Sequence, residues 1–304
     1  MDHISLIVIH YNTEKDTTAC LTSLSRITAN DFKYDVIVVD NASKLPFEIP
    51  KNLESQPMTV VRSQSNLGFT GGNNLGITHA LETYHSDYVL LLNSDTIVAP
   101  DFLDQLYQFT KHHTKVGVIS PKIYFHKNNE FHKKSYTSAE RGTVLWYAGG
   151  SIDWQNVLAF HRGVDEVDYH HFDRQIHSDF ATGCCMLLRR EVLEKIGLFD
   201  ERYFLYLEDV DLNVRIQQLG YEVGFCAKSV IWHKNAGSSG GSGSSLQTYY
   251  LTRNRLFFGL KHGSWRVKLT MLRLLARFLK NGNKEERVGA FDLLRNQLGK
   301  RILV

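Results

Sequence analysis

Four short apolar runs, rich in β-branched residues and each followed by polar side chains, constrain this chain more than any other feature. They are Ile4–His10 (ISLIVIH), Asp35–Val39 (DVIVV), Thr59–Val61 and Tyr88–Leu92 (YVLLL). Runs that are apolar at almost every position are buried on both faces, as the strands of a parallel sheet are. Between them lie apolar residues at helical spacing: Leu21, Leu24 and Ile27 before the second run, and Ile77, Ala80, Leu81 and Tyr84 before the fourth. Strand and helix patterns that alternate in this way predict an α/β domain whose mostly parallel sheet gathers ligand groups at the carboxyl ends of its strands.

After Pro121 the pattern loosens, and Gly149, Gly150, Trp154 and Gly163 punctuate segments that read as hairpins. Regularity returns with two short helices, Val192–Leu193–Ile196 before Gly197 and Leu212–Ile216–Leu219 before Gly220, each with a glycine stop. A strand is expected at Ser229–Trp232. The segment Gly237–Ser245 (GSSGGSGSS) reads either as a plain linker or as an active-site loop that closes over a ligand, the second being preferred. Helical patterns fill the remainder.

Composition narrows the class. In 304 residues, 43% hydrophobic and 22% charged side chains exclude wholesale disorder and a collagen-like repeat. No run approaches the roughly 20 apolar residues of a membrane-spanning helix. The opening MDHISLIVIHYN lacks the features of a secretory signal, so a cytoplasmic protein is expected. Cys20, Cys184, Cys185 and Cys226 show no CxxC spacing and read as reduced, buried thiols. From Leu251 onward 13 Lys and Arg face 3 Asp and Glu, a surplus of +10 on a chain whose net charge is +3. A basic tail on an acidic body points to an anionic surface as its partner.

Polar residues stand at four strand ends: Tyr11 and Asn12, Asp40 and Asn41, Asn93 with Asp95, and His233. Asp40, Asn41 and Ser43 also have the composition of a turn or cap. Asp95 follows a buried strand and has no evident partner there. The glycines of Asn66–Gly76 (NLGFTGGNNLG) suit a tight turn, or backbone amides that approach a diphosphate. Neither GK[ST] nor a GxGxxG after the first strand is present, which disfavours a P-loop NTPase and a standard dinucleotide-binding fold. The acidic run Glu208, Asp209 and Asp211 opens a predicted helix. It would complement the helix dipole, or, behind the aromatic segment YFLYL, hold a carboxylate with a pKa raised toward general-base use.

The motifs IVIHYN, VIVVDNAS, NLGFTGGNN, LLLNSD, ATGCCMLLRREVLEKIGLFDERYFLYLEDVDLNVR, WHKNAGSS and YYLTRNRLFF occur in an order that resembles the family 2 glycosyltransferases, over about Ile4 to Leu260. Within the family the chain looks like the bacterial rhamnosyltransferases, with galactofuranosyltransferases as near relatives. The resemblance implies a GT-A fold, with a Rossmann-like mostly parallel sheet in residues 1–245 and a basic helical C-terminal extension in 246–304. A nucleotide-sugar half would end near 120 and an acceptor half would follow from 121. It further implies an inverting hexosyltransferase that moves a sugar, rhamnose first, to a glycan or lipid-linked acceptor in surface polysaccharide synthesis. His10, Tyr11, Asn12 and Asp40 would hold the nucleobase, with Asn66 near the nucleotide and diphosphate. Asn93, Ser94 and Asp95 fall on the DxD position, Asn93 replacing its first Asp. Asp95 and His233 would bind Mn2+ or Mg2+, and Asp209, with Glu208 beside it, would be the catalytic base. The other readings are a catalytically dead sugar-nucleotide scaffold, a UDP-galactofuranosyl-type transferase and, less compatible with HYNTEK, a nucleotidyltransferase. No nucleic-acid partner is expected. The C-terminal helices would meet the inner face of a membrane or a second subunit.

Overall fold

The structure, a computed structural model, describes residues 1–174, 176–235 and 243–301. The loop expected to close over a ligand, Gly237–Ser245, therefore lies largely outside the described residues. The first part of the chain forms β1 (Asp2–His10), α1 (Glu14–Leu24), β2 (Phe32–Asp40), β3 (Met58–Arg62), α2 (Gly68–Thr83), β4 (Tyr88–Asn93), β5 (Thr96–Val98), α3 (Phe102–His112) and β6 (Val116–Phe125). It continues through β7 (Leu145–Tyr147), β8 (Gly150–Asp153), β9 (Leu158–His161), β10 (Cys185–Arg189), α4 (Arg190–Ile196), α5 (Glu208–Gln218) and β11 (Glu222–His233). Three helices follow: α6 (Ser245–His262), α7 (Trp265–Asn281) and α8 (Lys284–Leu294).

One sheet runs in the order β3-β2-β1-β4-β10-β6-β11-β5, with β7 on β6, while β8 and β9 pair separately. The strands from β3 to β4 are parallel, β10 is antiparallel to both neighbours, β11 is parallel to β6, and β5 is antiparallel to β11. Successive side chains point to opposite faces of a strand, and here they divide between two cores. Ile4, Leu6, Val8, Val36 and Val38 pack with Leu21 and Leu24 of α1 and Phe102, Leu103 and Leu106 of α3. Ile7, Ile37 and Val39 pack with Ile77 and Ala80 of α2, Val192 and Leu193 of α4, and Leu212 and Ile216 of α5.

Two features depart from the sequence pattern. Where the pattern loosens at Pro121, the chain is the middle of β6, buried along its length. Pro121 lies opposite Cys226, at the point where the β11 register shifts before Val230. Such an irregularity tolerates a residue that cannot donate to the ladder. The position where an acceptor half would begin thus falls inside a strand, and both halves share one sheet. The second departure is β5, three residues too short to show a period, which proves decisive for the site below.

The C-terminal helices are docked on the sheet domain. Gly259 of α6 lets α7 approach so closely that a Cβ there would lie 2.5 Å from Met271 Cγ. A capping box at Asn283 and Glu286 starts α8. Among the described residues no helix is long and apolar enough to cross a membrane. The four cysteines are buried and unbridged, as the sequence suggests.

Candidate active site

Antiparallel pairing of β5 with β11 sets Thr96 opposite His233, and the Lys234 amide donates to the Asp95 carbonyl at 2.9 Å. The register leaves His233 Nε2 3.1 Å from Asp95 Oδ1. The imidazole is buried, the Trp146 ring meets it edge-on at 4.5 Å, and Nδ1 has no hydrogen-bond partner among the described residues. An imidazole nitrogen and a carboxylate oxygen about 3 Å apart match neighbouring ligands in an octahedral shell with bonds of roughly 2.1 Å. Asp95 and His233 therefore fit a divalent cation. Ser94 Oγ stands 3.4 Å from Thr13 Oγ1, and the Asn93 amide donates to Cys184 O at 2.9 Å.

That last bond ties the β4 end to residues 181–184, and the same segment grips α5. Ala181 N donates to Asn213 Oδ1 and Asn213 Nδ2 returns a bond to Ala181 O, both 2.9 Å. Gly183 N donates to Asp209 Oδ2 at 2.9 Å and Val210 N to Oδ1 at 2.8 Å. Asp95 and Asp209 are thereby both brought near Cys184, whose thiol pKa is raised well above normal by burial first and by both carboxylates. Burial also raises the pKa of Asp209, against the backbone donors of Gly183 and Val210. Glu208 beside it is buried, its Oε2 has no partner among the described residues, and burial followed by the Asp209 charge pushes its pKa well up.

Asp211 completes the acidic run but does a different job. Tyr203 OH, Lys261 Nζ, His262 Nε2 and Arg215 Nε surround it at 3.0, 2.6, 2.7 and 2.9 Å. Although burial opposes them, these partners hold its pKa down at about 2. The run thus splits into an anchor, Asp211, and two carboxyls with raised pKa values.

The segment that delivers Glu208 and Asp209 is strained. Phe204, Tyr206 and Leu207 all have left-handed backbone, with φ of 65°, 69° and 67°, at about 1–3 kcal/mol each. Two fully buried residues of α6 hold it. Asn254 Nδ2 reaches the carbonyls of Tyr203, Leu205 and Tyr206 at 3.1, 2.8 and 2.9 Å. Arg253 donates to the carbonyls of Arg202, Tyr203 and Gly299 at 3.1, 2.9 and 2.7 Å. Sequence reasoning gave neither a role. The available signal was an Arg-Asn pair inside a largely apolar helical stretch, since a buried polar pair requires partners.

At the carboxyl end of β2, on the same edge of the sheet, Asp40 is enclosed. It accepts from the amides of Ser43 and Phe47 and from Arg62 Nη1, so it organises the 40–47 loop. Asn12 ties that loop to β1, its amide donating to Ser43 Oγ and its Oδ1 accepting from Lys44 N. The His10 ring is buried on Phe47, 2.8 Å from Thr17 Oγ1, and burial lowers its pKa while Asp40 opposes the shift. Tyr11 is exposed. Asn66 Oδ1 accepts from Gly68 N, and its carbonyl accepts from Lys300 Nζ. Of the two readings of the glycine segment, the turn holds. The amides of Phe69 and Thr70, at the start of α2, both point to Phe204 O. A Cβ on Gly68 (φ +73°) would lie 2.5 Å from Phe204. These amides are committed to the strained segment rather than to a diphosphate.

Two other features lie away from these residues. Asp168, His170 and Asp173 are close enough to share a cation, but buried Lys122 already pairs with both carboxylates and Tyr124 OH donates to Asp168. A cavity of about 530 Å³ opens at the far end of α5, beside Trp154, Gln217, Gln218 and His262, and not at Asp95 or Asp209. Trp154 is stacked on Phe258.

A candidate cation corner and two neighbouring carboxyls with raised pKa values, joined through residues 181–184, can be set beside known proteins. The family model described as "Glycosyltransferase like family 2" matches residues 2–258. The chain belongs to this family. This glycosyltransferase is 26% identical over 255 residues to the low-salt glycan biosynthesis hexosyltransferase Agl10 of Haloferax volcanii, covering 84% of this chain and 75% of the relative. It is 23% identical over 276 residues to the N-acetylglucosaminyl-diphospho-decaprenol L-rhamnosyltransferase of Mycobacterium tuberculosis, covering 87% and 86%. The solved structure of GalNAc-T7 with UDP, GalNAc and Mn2+ superposes with a TM-score of 0.63 at 16% identity, over 97% of this chain and 55% of that one. The mannosyltransferase PcManGT of Pyrobaculum calidifontis, in complex with GDP-Man and Mn2+, does so at 0.54 and 15%, over 96% and 74%. At that identity the structural likeness shows the fold alone, and the fold is GT-A.

Proposed function

We propose that this glycosyltransferase moves rhamnose from a nucleoside diphosphate donor, with inversion, to a hydroxyl of a glycan or lipid-linked saccharide in surface polysaccharide synthesis. The observation that supports the reading is the 181–184 strap, in which Gly183 N donates to Asp209 and Cys184 O accepts from Asn93 N, two residues before Asp95. Asp209 takes the proton of the acceptor hydroxyl as its oxygen attacks the anomeric carbon from the side opposite the diphosphate. A carboxylate with a raised pKa suits this task, because it is a stronger base than an exposed one. Direct displacement inverts the anomeric centre. Asp95 and His233 would hold Mn2+ or Mg2+, which would offset the negative charge that develops on the diphosphate. The imidazole ligand favours manganese. Asn93 and Ser94 face the ribose, and His10, Tyr11 and Asn12, with the loop that Asp40 organises, form the nucleobase wall. Rhamnose rests on the L-rhamnosyltransferase of Mycobacterium tuberculosis to which the chain is similar.

A thermal-shift screen tests the reading, because a ligand that binds only the native state raises the melting temperature. With Mn2+, dTDP-rhamnose is expected to shift it more than UDP-galactofuranose or GDP-mannose. A larger response to UDP-galactofuranose would replace the donor. Binding of dTDP-rhamnose without turnover, across a panel of polyprenyl-diphosphate saccharides and with no donor hydrolysis, would indicate a sugar-nucleotide scaffold. Full turnover in excess chelator would remove the cation role of Asp95 and His233.

A further inference from the structure

Helix α7 is amphipathic twice over. Its inward face, Val267, Met271 and Leu275, is buried against the rest of the protein, and the close approach at Gly259 fixes that orientation. The opposite face also carries apolar residues. Trp265, Leu269 and Leu272 are 68%, 45% and 50% exposed, and Ala276 is exposed between them. At about 100° per residue these four fall within roughly 60° of one another. Arg266, Arg273, Arg277 and Lys280 form an adjoining sector of similar width, and Lys268 borders the stripe on its other side. All five basic residues are exposed, α7 contains no acidic residue, and none of the five forms an ion pair among the described residues. Arg266 lies over the Trp265 ring at 5.2 Å.

From this placement we infer that the outward face of α7 seats the enzyme on an anionic membrane surface. An apolar stripe with a tryptophan at one end and basic residues along its edges is the chemistry of a helix lying at the headgroup boundary. A second copy of the chain is a poorer fit. A two-fold contact would set this face against itself and oppose basic edges to basic edges, and a stable dimer needs roughly 20–30 residues a side. Those same edges match a negatively charged leaflet. The inference does not depend on the transfer reaction, since vesicle binding is read without donor or acceptor.

The test is co-sedimentation of the full chain with vesicles of phosphatidylcholine, alone or mixed with equal phosphatidylglycerol. Binding is expected only to the mixed vesicles, and raised salt should weaken it. The triple variant Trp265→Ser/Leu269→Ser/Leu272→Ser changes exposed positions only, so its melting temperature should hold while binding falls at least roughly 100-fold. Arg273→Gln/Arg277→Gln should weaken binding about 25-fold, at roughly fivefold per charge. Equal binding to neutral vesicles, or unchanged binding by the triple variant, overturns the inference. So does a dimer in sedimentation velocity that the triple variant dissociates, which would make this face a subunit interface. A failed donor screen alongside intact vesicle binding would discard the transferase reading and leave the membrane one standing.

Discussion

The two sides of the first turn of α5 carry the same chemical group under opposite regimes. Toward the interior, Asp211 is enclosed by Tyr203, Arg215, Lys261 and His262 and stays ionised far into acid. Earlier in the same turn, Glu208 and Asp209 are desolvated without a cationic partner among the described residues, and their pKa values rise. The difference lies in what faces each residue, since all three begin one helix. A paired carboxylate stabilises the fold and is useless as a base. A desolvated one strains the fold and is ready to take a proton. Proteins place such perturbed groups at functional sites, and here the anchor sits within one turn of the proposed base.

The comparison breaks most severely at Asp209. Asp209→Asn should lower kcat by about 100- to 10,000-fold while calorimetry shows donor affinity nearly unchanged. The melting temperature should not fall, because the substitution removes a poorly solvated charge. Turnover within threefold of the parent would take the base role from Asp209.

Next in size, Asp211→Asn should cost on the order of 2 kcal/mol of stability, the worth of a carboxylate held at a pKa of about 2 instead of 3.8. Urea unfolding measures it. The loss should carry a pH signature. A depressed pKa gives stability that is full above the unfolded value and disappears as pH falls through the folded one, so parent and variant should converge toward pH 2. For Asp209 the raised pKa works on activity, which should fail at a higher pH than the fold does. An interval of acid in which the enzyme is folded and idle is expected, and coincident midpoints in the rate profile and in circular dichroism would contradict it.

A smaller effect is expected where α6 holds the strained segment. Asn254→Ala would leave the carbonyls of Tyr203, Leu205 and Tyr206 short of their donor. It should reduce kcat about tenfold through misplacement of the base with little change in the donor KM. An equal loss in both constants would make Asn254 a general support rather than a positioning residue.

The sheet was legible because burial on both faces writes itself as unbroken apolar runs, and β1, β2 and β4 fall where ISLIVIH, DVIVV and YVLLL predict. The site was legible only as strand-end polar residues and family motifs. What joins them was not. The meeting of Asp95 with His233 depends on β5, which is too short for a period. The link from the β4 end to Asp209 depends on backbone bonds from residues 181–184, whose side chains advertise nothing. The acidic run likewise looks uniform in one dimension, because Lys261 and His262 come from a helix some fifty residues later. Arg253 and Asn254 went unread for the same reason, since a buried pair is informative only once its partners are known.

The smallest effect sharpens the comparison from its other side. Glu208 is buried, lacks a partner for Oε2 among the described residues, and sits next to Asp209. Because its folded pKa is raised above the unfolded value, its contribution to stability is full below the ordinary glutamate range. That contribution is lost as pH rises through the folded value, where the buried carboxyl is forced to ionise beside Asp209. Glutamine keeps the shape and cannot ionise. Glu208→Gln should therefore match the parent in urea unfolding below the ordinary glutamate range and exceed it at alkaline pH, the gap opening as pH rises toward the folded value. If the neutral form is the working one, its rate should stay within a few-fold of the parent at neutral pH, far from the loss at Asp209. Parallel stability curves across that range would show that Glu208 ionises in the folded enzyme without hindrance, and the division between anchored and desolvated carboxyls would then begin at Asp209 alone.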